Sequence, residues 1–149
     1  MTEPRRYMRM QEKLVLRIVA KRMVPFVLLF ALYVQFHGDY GPGGGFQAGV
    51  IFAAGLILYA MIFGLDALER AAPPRVVEIA AAAGVLLFAG VGISTMLLGS
   101  PYLDYDALAP DAPLQGQHLG ILLIEFGVLL TVAAVMLTVY YVFAGQRRP

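Results

Sequence analysis

Apolar positions in this chain come in long unbroken runs rather than at helical or strand spacing. Gly44–Leu65 holds no charged residue, Val76–Leu98 holds only Glu78, and His118–Phe143 holds only Glu125. Each run has the roughly 20 residues that a helix needs to cross a bilayer. A fourth run, Met23–His37, has 15 residues. At about 1.5 Å per residue it spans about 22 Å, less than a hydrocarbon core of about 30 Å. It must recruit the preceding turn or leave its outer end inside the membrane. Pro25 is placed in its first turn, where a missing N–H costs little.

Breakers divide the runs at the same places. Gly38–Gly45 separates the first two, Asp66–Arg75 with Pro73 and Pro74 the next two, and Gly99–Gln117 with Pro101, Pro110 and Pro113 the last two. The pattern predicts an all-α polytopic membrane protein with four transmembrane helices, near 23–37, 44–65, 76–98 and 118–143, in a single domain covering 1–149. The third loop has room for a short outer-face helix that composition does not decide.

Composition supports this picture and narrows the chemistry. Of the 149 residues, 60% are hydrophobic and 14% charged, well away from an average soluble domain. The absence of cysteine excludes thiol catalysis, iron–sulfur ligation and covalently attached haem. The net charge of +1 says little until the charges are mapped. Arg5, Arg6, Arg9, Lys13, Arg17, Lys21 and Arg22 precede the first span, Arg70 and Arg75 lie in the second loop, and Arg147 and Arg148 end the chain. Asp39, Asp104, Asp106 and Asp111 occupy the first and third loops. By the positive-inside rule both termini are cytoplasmic.

The start lacks a small-residue cleavage site, so it is read as retained. Residues 1–22 form a basic segment in which Arg9, Lys13, Arg17 and Lys21 recur every four residues beside a stripe of Met10, Leu14 and Ile18. It suits either an amphipathic helix on the lipid surface or a simple positive-inside anchor.

Small residues repeat within the spans: Gly45, Gly49 and Ala53; Ala80 and Gly84; Gly90 and Ser94; Gly120, Gly127 and Ala134. Such spacing lets helix backbones approach closely. Four short helices need fewer such faces, so several are expected to meet other subunits.

The candidate chemistry is sparse. Glu78 and Glu125 are the only acids inside spans, and a carboxylate there is a functional candidate by default. Glu78 follows Arg75 by three residues near the cytoplasmic end, where pairing or snorkelling is an equally natural role. Glu125 lies about 12 Å along its helix from Gln117. A carboxyl at that depth suits proton transfer, cation coordination, or a hydrogen bond to a neighbouring helix. His118 precedes it by seven residues on nearly the same face. The densest polar cluster runs Phe36-His37-Gly38-Asp39-Tyr40-Gly41-Pro42-Gly43-Gly44-Gly45-Phe46-Gln47. Its glycines open backbone angles closed to other residues, and exposed carbonyls in such a break bind cations. No Lys-Ser/Thr follows, so it is not a phosphate loop. A tight outer turn needs fewer glycines, which favours a specialised site or a subunit contact.

This cluster carries a resemblance. Phe36-His37-Gly38 with Pro42-Gly43-Gly44-Gly45-Phe46, then Gly49 and, after an apolar stretch, Tyr59, resembles the B subunits of multisubunit Mrp-type Na⁺/H⁺ antiporters. Length and four-span layout agree over most of the chain. Asp39 stands where members often carry a second His, which removes a His pair and adds a carboxylate. The resemblance implies a non-enzymatic subunit of a seven-part complex in a prokaryotic plasma membrane. Its partners would be subunits A, C, D, E, F and G and membrane lipid, not nucleic acid. Subunits A and D are the usual candidates for the proton pathway. No cofactor is implied beyond the transported Na⁺ and H⁺, with transient Na⁺ near His37 and Asp39.

On this reading His37 and Asp39 flank the outer mouth of a cation route. The turn from Pro42 to Phe46 shapes that mouth and docks a neighbour. Glu125, with His118 and Glu78 as further candidates, relays an ion. A purely structural adaptor is the alternative. A four-helix haem b protein ligated by His37 and His118 is a third reading, which leaves the glycines and Glu125 unexplained.

Overall fold

In the computed structural model, which describes residues 14–38 and 41–146, the chain forms five α-helices: α1 (Leu14–His37), α2 (Gly45–Phe63), α3 (Leu65–Ala71), α4 (Pro74–Leu97) and α5 (Pro113–Gly145). A short 3-10 turn, Tyr105–Leu108, precedes α5. No strand occurs among the described residues. Three helices, α2, α4 and α5, are long and apolar enough to cross a membrane by length and composition.

Helix α1 has 24 residues, about 36 Å at helical rise. It begins nine residues before Met23, because Arg17, Ala20, Lys21 and Arg22 are sound helix formers that prolong the apolar run without a break. Pro25 therefore falls eleven residues inside the helix rather than in its first turn. Lys13 and the residues before it, with Arg147 and Arg148, lie outside the described residues.

Helix α5 also exceeds expectation. It starts at Pro113, because proline at the first helical turn loses no hydrogen bond and presets the backbone angle. Its 33 residues span about 50 Å, more than any hydrocarbon core. The second break is largely helical too. Gly64, at φ 95°, turns the chain from α2 into α3. Leu68 of α3 is fully buried in a cluster with Ala53, Ala60, Val77, Ala133, Ala134 and Leu137. The Tyr141 hydroxyl donates to the Ala72 carbonyl at 2.5 Å, tying α5 to this corner.

The long helices pack in the order α1–α2–α5–α4. Short turns make α1 and α2 antiparallel, whereas α2 and α5 run parallel side by side. Glycines set these contacts. A Cβ on Gly49 would lie 2.9 Å from the Leu129 carbonyl oxygen, and one on Gly127 would lie 2.9 Å from that of Gly84. Gly55 meets Val27 and Leu28 of α1. Most of the small-residue faces are thus consumed inside the bundle, while Gly90 has open space beside it. Only 33%, 22% and 28% of the most apolar windows of α2, α4 and α5 are buried, so most of their surface is left for lipid or partner chains.

Residues 99–112 fold back onto the bundle. Tyr102 fills the space beside Gly92, and Tyr105 the space beside Gly120. Burial, with Tyr102 adding to it, pushes the Tyr105 phenol above its ordinary pKa. Thr95 is the hub: fully buried, its hydroxyl contacts the Gly92 and Pro101 carbonyls at 2.8 and 3.1 Å and accepts from the Leu103 N–H at 3.0 Å. That bond holds Leu103 at φ 64°, a conformation side chains seldom adopt. Thr95→Val keeps the shape but strands a buried N–H, and is expected to cost about 1–3 kcal/mol. A fall in the melting temperature of the purified protein checks this.

Candidate functional site

The end of α1 and the start of α2 meet in a turn closed by Gly44, whose N–H donates to the Val34 carbonyl at 3.3 Å. Gly44 sits at φ 129° and ψ 177°, a combination open in practice only to glycine. A Cβ on Gly43 would come within 2.9 Å of that same Val34 oxygen. The turn is tight enough that the chain passes directly over the last turn of α1.

What the turn encloses is Glu125. A Cβ on Gly38 would stand 2.7 Å from Glu125 Oε1 and 2.8 Å from Oε2, and one on Gly44 would stand 2.9 Å from Oε1. A Cβ on Gly45 would overlap the Glu125 main-chain carbonyl. Three glycines of the motif thus leave the volume that one carboxylate and its own backbone occupy. From the sequence alone, backbone freedom is the role expected of these glycines. That explanation holds for Gly44, whereas Gly38 and Gly45 are needed for space. The carboxylate also lies beside the N-terminus of α2, the positive end of that helix's dipole.

His37, the last residue of α1, is partly exposed and stacks on Tyr33 with ring centroids 5.2 Å apart and 16° between planes. Its Nε2 would be 3.0 Å from a Cβ on Gly41, so the imidazole forms one wall of the turn. Phe36 and Phe46, 61% and 62% exposed, flank the turn, and Pro42 is exposed at its tip. Asp39 lies outside the described residues. Gln47 reaches the turn from α2, its Oε1 3.6 Å from a Cβ on Gly44.

The other two acid and histidine candidates are elsewhere. Glu78 is exposed near the start of α4, at the opposite end of the bundle from the turn. His118 is exposed two turns before Glu125 on α5. Among the described residues, no three His, Asp or Glu side chains gather as a metal site would require. Arg17, Lys21, Arg22, Arg70 and Arg75 all fall at the end remote from the turn.

One residue escaped the sequence reading. Gln35 is 3% exposed, and its Oε1 has no hydrogen-bond partner. The available signal was its position as the only amide inside the run Met23–His37.

Residues 15–138 match the family described as a domain related to the MnhB subunit of Na⁺/H⁺ antiporter. The chain is also 34% identical over 141 residues to a Staphylococcus aureus protein of strain Newman named as antiporter subunit mnhB2, covering 92% of this chain and 98% of that one. The same figures hold for the mnhB2 proteins of strains JH1 and USA300.

Proposed function

Because the chain belongs to the family of the MnhB subunit of Na⁺/H⁺ antiporters, we propose that this multi-pass membrane subunit lines the outer part of a monovalent-cation route and docks its sister subunits there. The observation that carries the reading is the placement of the Glu125 carboxylate against Gly38 and Gly44, in the turn that follows His37. A carboxylate brought to a broken-backbone turn between helix ends is the arrangement in which irregular backbone at membrane depth binds ions. His37 and Asp39 flank the mouth, Glu125 is the deeper station, and Phe36, Pro42 and Phe46 present the contact surface.

In this reading α1 is the fourth span, both termini are cytoplasmic, and the membrane is the prokaryotic plasma membrane. Every Lys and Arg lies before α1 or in its first nine residues, in α3 or the start of α4, or at the C-terminus, as one cytoplasmic side requires. The complex carries out transport rather than covalent chemistry, and this subunit needs no cofactor. The exposed aromatic and aliphatic surface supports permanent residence among partner helices and lipid.

His37→Ala and Asp39→Ala test the route directly. Each is expected to depress Na⁺-dependent proton movement in membrane vesicles while the other subunits still copurify. Unchanged transport in both variants contradicts the route. Loss of copurification instead favours the adaptor role.

A further inference from the structure

Helix α1 carries two charges deeper than the end of its neighbour. The Arg17 guanidinium lies over the Phe63 ring, 5.6 Å from its centroid, at the level where α2 ends. Lys21 and Arg22 follow on the same unbroken helix, which places Arg22 about 7 Å further in than Arg17. Both are exposed. Side chains on a helix lean towards its N-terminus, so both cations reach back towards the head-group layer at that end rather than towards the middle of the span. On the face of Arg22 the helix continues with Phe26, Leu29, Tyr33 and Phe36, at alternating steps of four and three residues and all exposed. A shallow groove of about 600 Å³, lined by Leu29, Leu32, Tyr33, Phe36 and His37, lies on this face. It begins about 10 Å from Arg22 along the helix axis, within the roughly 15 Å that one leaflet of hydrocarbon occupies.

We infer that this end of α1 binds an anionic phospholipid, with the phosphate held by Lys21 and Arg22 and an acyl chain laid along Phe26, Leu29 and Tyr33 into the groove. The site requires α1 to be the fourth span with its start in the cytoplasm, as proposed for it, and is independent of any ion route at the glycine turn. Neighbouring α-carbons are about 3.8 Å apart, so the two side chains can close on one phosphate. Arginine brings a planar fork of donors and lysine a point charge, and a phosphate has oxygens for both. Basic residues at a cytoplasmic surface attract anionic lipid in general. Depth sets this pair apart: a head group that meets them is drawn below the end of α2, and only a lipid lying against α1 gains that contact. A carboxylate on a partner helix is the competing occupant. It would pair best with cations aimed into the span, whereas these lean out of it.

The test uses the intact complex in phosphatidylcholine vesicles and two trace probes with the same diazirine-bearing acyl chain, one a phosphatidylglycerol and one a phosphatidylcholine. After illumination, peptide mass spectrometry reports label between Met23 and Tyr33. Each basic residue beside an anionic lipid is worth about fivefold in binding. The wild-type chain is therefore expected to take at least about tenfold more label from the phosphatidylglycerol probe. With Lys21→Gln and Arg22→Gln combined, that preference is expected to disappear in the assembled complex. If the double variant fails to assemble, Arg22→Gln alone is expected to lower the preference about fivefold. Equal label from the two probes in the wild-type complex overturns the phosphate site and leaves α1 as a span in bulk lipid. An unchanged preference in the assembled variant overturns it too. Absence of label from α1 overturns it as well. A photoreactive residue at Phe30 then separates the causes: it crosslinks to another subunit if a partner helix covers this face, and to none if α1 does not span the bilayer.

Discussion

Gly45→Val is expected to prevent stable accumulation of the subunit. A Cβ at position 45 would overlap the main-chain carbonyl of Glu125. The obstruction is backbone, so no rotamer change relieves it, and α2 and α5 must move apart. The same seam is set one turn further on by Gly49, where a Cβ would stand 2.9 Å from the Leu129 oxygen and 2.9 Å from Val132 Cβ. Separation at Gly45 therefore disturbs the contact on which both central helices depend. Overpacking a tight core ordinarily costs about 1–3 kcal/mol, and a clash with fixed backbone falls at the top of that range or beyond. The whole stability of a domain is about 5–15 kcal/mol, so a large fraction is lost. Immunoblotting of membranes and the melting temperature of the purified complex measure the effect. Gly90→Val is the control: nothing lies within 4 Å of the added Cβ, and wild-type levels are expected. Accumulation of Gly45→Val at wild-type level contradicts the packing described for α2 and α5.

That seam also marks where sequence reading reached its limit. The apolar runs announced α2, α4 and α5 because lipid imposes length and hydrophobicity on each span separately. Helix ends were less visible. Pro113 falls in a stretch whose composition suggests a loop, although at a helix start it is favourable, and the basic residues before Met23 suggest a boundary, although they are good helix formers. Hydropathy carries no information about which helices are neighbours. Gly45 and Glu125 are 80 positions apart and meet only because α2 and α5 pair in parallel. The motif and the acid were each identified from the sequence, but as separate features. Their meeting gives Gly38 and Gly45 a spatial purpose that their backbone freedom alone does not require. Gln35 gives little signal in the sequence because one amide in an apolar run resembles ordinary helix composition, and only its burial and lack of a hydrogen-bond partner for Oε1 distinguish it. Asp39 falls outside the described residues, so its place at the mouth rests on the sequence.

The second large effect is expected at Glu125 itself. Glu125→Gln preserves size and leaves Gly38, Gly44 and Gly45 their neighbour, so packing of the turn is retained. It replaces two acceptor oxygens and a titratable proton with an oxygen and an amide nitrogen that only donates. A cation loses its neutralising partner, and the side chain can no longer take up or release a proton. A structural role would survive this exchange, since an amide hydrogen-bonds to a neighbouring helix as readily as a neutral carboxyl does. A transport role would not. The decisive measurement is therefore Na⁺-dependent proton movement in vesicles containing wild-type or Glu125→Gln subunit, normalised to the amount of fully assembled complex. The expected result is a fall of at least about tenfold at unchanged subunit composition. Wild-type antiport by the assembled Glu125→Gln complex would contradict the assignment of the glycine turn and Glu125 to the cation route.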